Sequence, residues 1–329
     1  MNRKLVFAAS ISLGVVLLAA VYSLLKGEKV LYELSKFSLP RLVVFLSFSV
    51  LVYLFLSMRW RSVIIALKGK ISLPSALKYE LISFAAGYFL PTGRLSGGPA
   101  KFLLLRKQGM SFTKGFSTFM IDWFVEMTTN LGFLTIVVIF IVPASIIATS
   151  IKIMFCLVGV AVIGSVLLVA RRVRNSKPIL SHHHVAQIDK HRIIRKIIRQ
   201  LRAVRRANGQ FLRNAKSVIL TYCLAACTWL TSAFEVFFAL RVIGIDASVL
   251  MVVVILVSLM VTYLIAVPAS LGVLEFGQAS IFQFLQLSPE AGIAFTIVLR
   301  IRDILMTLLG LALLSSEGFS ILNFRGQDG

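Results

Sequence analysis

The sequence predicts an all-α, polytopic integral membrane protein with two inverted repeats and two re-entrant broken helices. Three observations carry this. First, 58% of the 329 residues are hydrophobic and mean hydropathy is +0.91, far above a soluble domain. Second, 35 Lys and Arg oppose 13 Asp and Glu, and the basic excess is concentrated in a few stretches. Third, two apolar segments in corresponding parts of the two halves are broken by Pro and Gly.

Runs of about 18 or more apolar residues read as spanning helices. Leu5–Leu25 opens the series. Arg3 and Lys4 precede it as in a signal peptide, but no small-residue cleavage site with a polar mature chain follows, so it reads as a retained helix. Leu42–Ser57 is next, followed by a stretch read as a loop, with Arg59, Arg61, Lys68, Lys70 and Lys78 and no acid. Then comes YFLPTGRLSGGPAKFLLL, Tyr88–Leu105. It begins and ends like a membrane helix, yet holds two prolines, three glycines, Arg94 and Lys101. In hydrocarbon an unpaired backbone amide costs several kcal/mol, so such a break survives only where protein or water lines it. Phe133–Val142, Ile151–Ala170, Val218–Leu240, Leu250–Val267 and Ile293–Leu314 bring the total to about seven spans.

Charge sets the expected topology. Arg106, Lys107 and Lys114 follow the first break, and the loop Arg171–Lys216 holds fourteen basic residues against one acid, Asp189. The stretches around Pro143, Ile245 and Ser288 are nearly uncharged. Short loops rich in Lys and Arg stay in the cytoplasm. All basic stretches fall on one side only if Tyr79–Leu105 enters and returns there, a re-entrant hairpin folded at Pro91–Gly98. The expected organisation is one membrane domain, residues 1–329. Repeat one spans about 1–170, the basic cytoplasmic loop 171–216, repeat two about 217–316, and a short tail 317–329.

Within the loop, Ile194, Ile197, Ile198, Leu201 and Val204 recur at helical spacing, with Arg192, Arg195, Arg199, Arg202 and Arg206 on the other face. This predicts a basic amphipathic helix on the anionic leaflet. Nucleic acid is not the expected partner of such a charge run beside a bilayer. His182–His184 reads as polar loop, and Cys156, Cys223 and Cys227 as buried thiols without a CxxC. No metal or cofactor is expected.

The second break is AVPASLGVLEFGQ, from Ala266. Pro268 matches Pro91: each is followed by small residues and Gly, a short helix, a turn, and a long helix bearing charges. Interrupted segments at corresponding positions point to a transporter-type site at the midplane. Charge placement makes the halves inverted, with the second hairpin, Met251–Gln286, entering from outside. Leu250–Val267 is also long enough to span fully, and both readings stand.

The candidate site residues follow. Pro91, Gly93, Arg94, Gly97, Gly98, Lys101, Pro268, Gly272 and Glu275 line the breaks and form the expected substrate site. Cations beside open backbone amides suit an anionic headgroup. Asp122, Glu126, Arg300, Arg302 and Asp303 are intramembrane charges, which usually pair and mark pathways. Asp122 and Glu126 share a helix face, and are expected to pair with Arg300 and Arg302. No Ser/His/acid set, zinc spacing or nucleotide loop occurs; GRLSGG is not a P-loop.

The two break motifs, FLPTGRLSGGPAKFLLLRKQGMS and VPASLGVLEFGQ, each followed by a charged helix, resemble the lysylphosphatidylglycerol synthase transmembrane-region, or flippase-like domain, family. It includes the membrane half of the multiple peptide resistance factor. The resemblance runs from about Leu5 to Leu314 and is most specific at Pro268–Glu275. Departures are Asp122 before Trp123, where the family has acid–Arg, no acid near Pro99, and Ser270 where Gly is frequent. The resemblance implies movement of an anionic phospholipid or a polyprenyl-linked lipid sugar between leaflets of a bacterial or archaeal cell (inner) membrane. The N-terminus is expected in the cytoplasm, and a homo-oligomer is compatible. The soluble aminoacyl-transferase domain has no counterpart up to Gly329, so the chain is not expected to be an enzyme. The alternatives are an enzyme acting on a lipid phosphate and a non-transporting partner of a glycosyltransferase.

The topology is testable. In a background lacking Cys156, Cys223 and Cys227, cysteines placed at Ser176 and Ser145 should react with an impermeant maleimide from opposite sides. Labelling of both from outside refutes a cytoplasmic central loop.

Overall fold

The computed structural model describes residues 27–88, 97–137, 164, 204–265 and 267–316. The described chain is all-α and contains no strand. Its helices are α1 (Gly27–Ser35), α2 (Leu39–Ala66), α3 (Leu73–Tyr88), α4 (Gly98–Lys107) and α5 (Phe112–Ile136), then α6 (Ala215–Val242), α7 (Val249–Leu264), α8 (Val273–Phe284) and α9 (Pro289–Ser316). Residues 204–213 are also helical. A 3-10 turn, Pro268–Ser270, separates α7 from α8. Leu5–Leu25, Pro91, Gly93, Arg94, nearly all of Ile151–Ala170 and the basic loop up to residue 203 lie outside the described residues.

Local sequence sets the helix ends. Ser72, Ser111, Asn214, Ser248 and Ser288 each accept a backbone N–H of the following turn, at 3.2–3.4 Å. Such caps satisfy donors a helix start leaves open. At the other end of α6, Gly244 takes φ 79° and Ile245 N–H reaches back to Leu240 O at 3.0 Å, the left-handed cap that glycine permits.

One sequence assignment is corrected. α2 continues through to Ala66, so Arg59 and Arg61 lie in the helix, and Lys78 lies in α3. Only Lys68 and Lys70 remain in the connection 67–72. The helix persists because Trp60, Val63, Ile64 and Leu67 are all fully or almost fully buried. Apolar contact on this face outweighs the interruption by two arginines.

The described residues form two compact units. One draws on Met1–Leu54, Leu77–Lys101 and Thr228–Gly329, the other on Phe55–Ala76 and Phe102–Cys227. In the first, Phe45, Leu240, Ile255, Phe282, Phe295 and Leu299 belong to one core, and α8 packs on both α7 and α9. In the second, Val63, Leu67, Ile121, Val125 and Phe211 form the core, and Trp60 Nε1 donates to Thr118 Oγ1 at 3.4 Å.

Helix lengths recur in order. α2, α3, α4 and α5 have 28, 16, 10 and 25 residues; α6, α7, α8 and α9 have 28, 16, 12 and 28. In the second series the break follows the 16-residue helix; in the first, the described residues of α3 stop at Tyr88. Among the described residues, α2 and α6 are long and apolar enough to cross a bilayer. α5 and α9 are as long but carry charges at mid-length. At about 24 Å each, α3 and α7 fall short of a bilayer's hydrocarbon core. On α9, Ile304, Leu305, Leu308 and Leu309 are exposed while Arg302, Asp303 and Gly310 are buried. Apolar outside and charged inside is the reverse of a water-soluble helix.

α9 meets α3 at Gly310. A Cβ there would lie 2.4 Å from Leu81 O and 2.7 Å from Ala85 Cβ. Overpacking of this kind costs about 1–3 kcal/mol. Gly310→Val should therefore lower the thermal midpoint in detergent by several degrees, whereas Leu308→Val, on the exposed face, should not. Equal midpoints would deny the α3–α9 contact.

Candidate functional site

The second break is built around Arg300. α7 ends at Leu264, and after Pro268 the backbone turns through Ala269 (φ 52°), Ser270 (φ 50°) and Gly272 (φ 73°) before α8 begins. These left-handed residues point carbonyls away from helical partners, and Arg300 on α9 receives them. Its Nη1 donates to Ala269 O and its Nη2 to Ser270 O at 3.3 Å. Nε and Nη2 both donate to Glu275 Oε1, at 3.0 and 2.7 Å. Nη1 also donates to Tyr88 Oη at 3.2 Å. A guanidinium has five N–H groups, and these contacts use all five. Tyr88 is the last described residue of α3, so one side chain joins the end of α3 to the backbone of the second break. The other oxygen of Glu275, Oε2, is buried with no hydrogen-bond partner among the described residues.

Each break is flanked by helices cross-linked through a buried polar pair. Lys101 Nζ on α4 lies 2.7 Å from Glu80 Oε2 on α3. Gln278 Nε2 on α8 donates to Ser258 Oγ on α7 at 3.0 Å. The flanking helices approach closely at small residues. A Cβ on Gly97 would lie 2.3 Å from Ser83 O, and one on Gly277 3.1 Å from Thr262 Oγ1. An ion pair thus holds the first pair of helices, and a neutral hydrogen bond the second.

Two further charge clusters each centre on a buried arginine. Arg302 donates to Asp303 Oδ1 at 2.7 Å, to Glu235 Oε1 at 3.1 Å and to Tyr263 Oη at 3.2 Å, and Ser49 Oγ donates to the same Glu235 oxygen at 2.5 Å. In the other unit, Arg59 donates to Asp122 Oδ1 at 2.7 Å and to Glu126 Oε2 at 2.8 Å. The expected pairing of Asp122 and Glu126 with Arg300 and Arg302 is therefore corrected. Each acid meets a cation within its own unit.

Of the candidate residues, the structure brings Pro268, Gly272, Glu275 and Arg300 together at the second break. Gly98 begins α4, and Lys101 is engaged by Glu80. Arg302 and Asp303 lie two and three residues along α9 from Arg300, in their own cluster. Pro91, Gly93 and Arg94 are outside the described residues. Sequence reasoning missed Arg59, Tyr88, Glu80 and Glu235. Arg59 was counted as loop charge. Glu80 and Glu235 were legible as lone acids inside apolar helices, the signal that singled out Asp122.

The family model of the lysylphosphatidylglycerol synthase TM region matches residues 6–310. The chain belongs to that family, which is membrane-associated and tied to lipid handling. No curated protein matches it.

The Lys101–Glu80 pair gives a clear test. Removing one partner of a buried pair costs about 3–5 kcal/mol, while replacing both with apolar residues is often neutral. Lys101→Met should melt early in detergent, and adding Glu80→Met should restore most of the loss. A Lys101→Met protein as stable as the parent would free Lys101 for ligand.

Proposed function

We propose that the chain moves a phospholipid or lipid-linked sugar between leaflets of a bacterial or archaeal cell membrane, with its N-terminus in the cytoplasm. The observation that carries this reading is that Arg300 gathers the carbonyls of the second break, Glu275 and Tyr88 at the end of α3. Interrupted helices meeting at one charged point supply exposed backbone, fixed dipoles and a polar lining inside an apolar protein. The matched order of helix lengths supports two repeats around that point, and their short flanking helices support re-entrant hairpins.

Chemistry divides the headgroup between the breaks. Arg300 has no donor left for a phosphate, so its role is to hold the break open and in shape. Glu275 Oε2 offers a buried acceptor to a hydroxyl or amine of the headgroup. Arg94, in the first break, is the cation assigned to the phosphate. The acids that an enzymatic reading needs as a base, Asp122 and Glu126, are both held by Arg59, so we read the chain as a carrier without covalent chemistry. If it instead positions a glycosyltransferase, deleting 171–216 should abolish function while changes at the breaks should not.

The test is lipid movement in proteoliposomes, followed by dithionite quenching of fluorescent phosphatidylglycerol, with chromatography to verify that the lipid stays intact. A charge-assisted contact contributes about 1.5–3 kcal/mol. Arg94→Gln should therefore slow movement roughly tenfold to a hundredfold while the thermal midpoint holds. Unchanged movement refutes the site. Early melting rescued by Glu275→Gln would make Arg94 structural; the engagement of Glu275 by Arg300 argues against that outcome.

A further inference from the structure

A concave surface lies where α2 turns into α3. A cavity of about 590 Å³ is lined there by Arg61, Ile65, Lys70, Ile71, Ser72, Ser75 and Gln108, together with Gly69. Its volume is within the usual range for a small-ligand site. None of the lining residues is an acid. Among the described residues Arg61 donates from Nε to Ile71 O at 3.1 Å, which leaves its two terminal nitrogens for other acceptors. Lys70 is exposed and has no ion-pair partner among the described residues. Ser72 and Ser75 put two hydroxyls 2.9 Å apart at the start of α3, where the helix end favours negative charge. Ile65, 48% exposed, supplies an apolar edge.

Unpaired cations are common on a membrane-facing surface. Here two of them share a concavity with hydroxyl donors and an apolar wall, and no carboxylate competes for them. That is the chemistry of a phosphate ester attached to something greasy. We propose that this groove binds the phosphate of a membrane phospholipid as a site separate from the one that moves lipid. Arg61 and Lys70 hold the phosphate, Ser75 donates to its oxygens while accepting from Ser72 at 2.9 Å, and Ile65 meets the glycerol and first methylenes. Nothing in this assignment depends on transport, and binding alone tests it.

The full chain in neutral detergent is titrated with dioctanoyl phosphatidylglycerol, with dioctanoylglycerol, which lacks the phosphate, and with inorganic phosphate, reading the thermal midpoint. The phospholipid should stabilise and dioctanoylglycerol should not. A basic residue near a lipid surface is worth about a fivefold change in affinity. Lys70→Gln, which breaks no protein contact, should weaken the phospholipid by about that factor. Lys68→Gln removes the same charge outside the groove and should leave the titration unchanged. Equal effects of Lys68→Gln and Lys70→Gln mean general surface charge and overturn the site, as does stabilisation by dioctanoylglycerol alone. Inorganic phosphate matching the phospholipid, with the same dependence on Lys70, would retain the phosphate site but overturn its assignment to lipid. Arg61→Lys keeps the charge and should lose less than Lys70→Glu; the reverse order would overturn the assigned geometry.

Discussion

A polar group inside an apolar protein must find its partner in the protein itself, and the described structure is organised by that constraint. Arg300 shows it most fully. Breaking a helix at Pro268 frees backbone carbonyls, and hydrocarbon offers them nothing. A single guanidinium takes two of those carbonyls, a carboxylate and a tyrosine hydroxyl. The broken segment depends on the arginine, and the arginine depends on the broken segment. Neither makes sense as an isolated feature of an apolar sequence.

The same constraint explains where the other charges sit. Arg59 lies 3% exposed with two carboxylates around it, and Arg302 lies 7% exposed with two of its own. Each is a compact group of a cation and two acids, with hydroxyls added around Arg302. Burying ions costs several kcal/mol each before pairing repays it, so these clusters are better read as devices that specify which helices meet than as sources of stability. Their apolar surroundings enforce the choice, because a mispaired helix would leave a charge bare.

The helical class and the second break were legible in the sequence, because composition and Pro–Gly placement act locally. What escaped was pairing between distant segments. Arg59 and Asp122 are 63 residues apart, and Arg302 and Glu235 are 67 apart. Periodicity within one helix says which acid shares a face with which, and Asp122 and Glu126 do meet a common partner. It cannot say which helix presents the cation. Arg59 was hidden further by its neighbours: a run of basic residues reads as a loop, yet Trp60, Val63 and Ile64 beside it are among the most buried residues of the chain. The stripe of apolar residues through Ala66 was the signal that the helix had not ended.

The left-handed backbone at the second break connects this local constraint to function. Ala269 and Ser270 both hold φ near +50°, a conformation that costs a residue with a Cβ roughly 1–2 kcal/mol. In the resembling family, glycine at the position of Ser270 would remove that cost, yet this chain keeps the side chain and the strain. Such strain persists only where surrounding contacts over-determine the geometry, and the paired carbonyls on Arg300 supply those contacts. If the guanidinium were withdrawn, the two residues would lose the partners that hold them and the turn would relax toward ordinary backbone. Arg300 also donates to Tyr88 Oη at 3.2 Å, so relaxation of the second break would remove one of the contacts at the end of α3. The end of α3 and the turn between α7 and α8 are therefore coupled through one side chain.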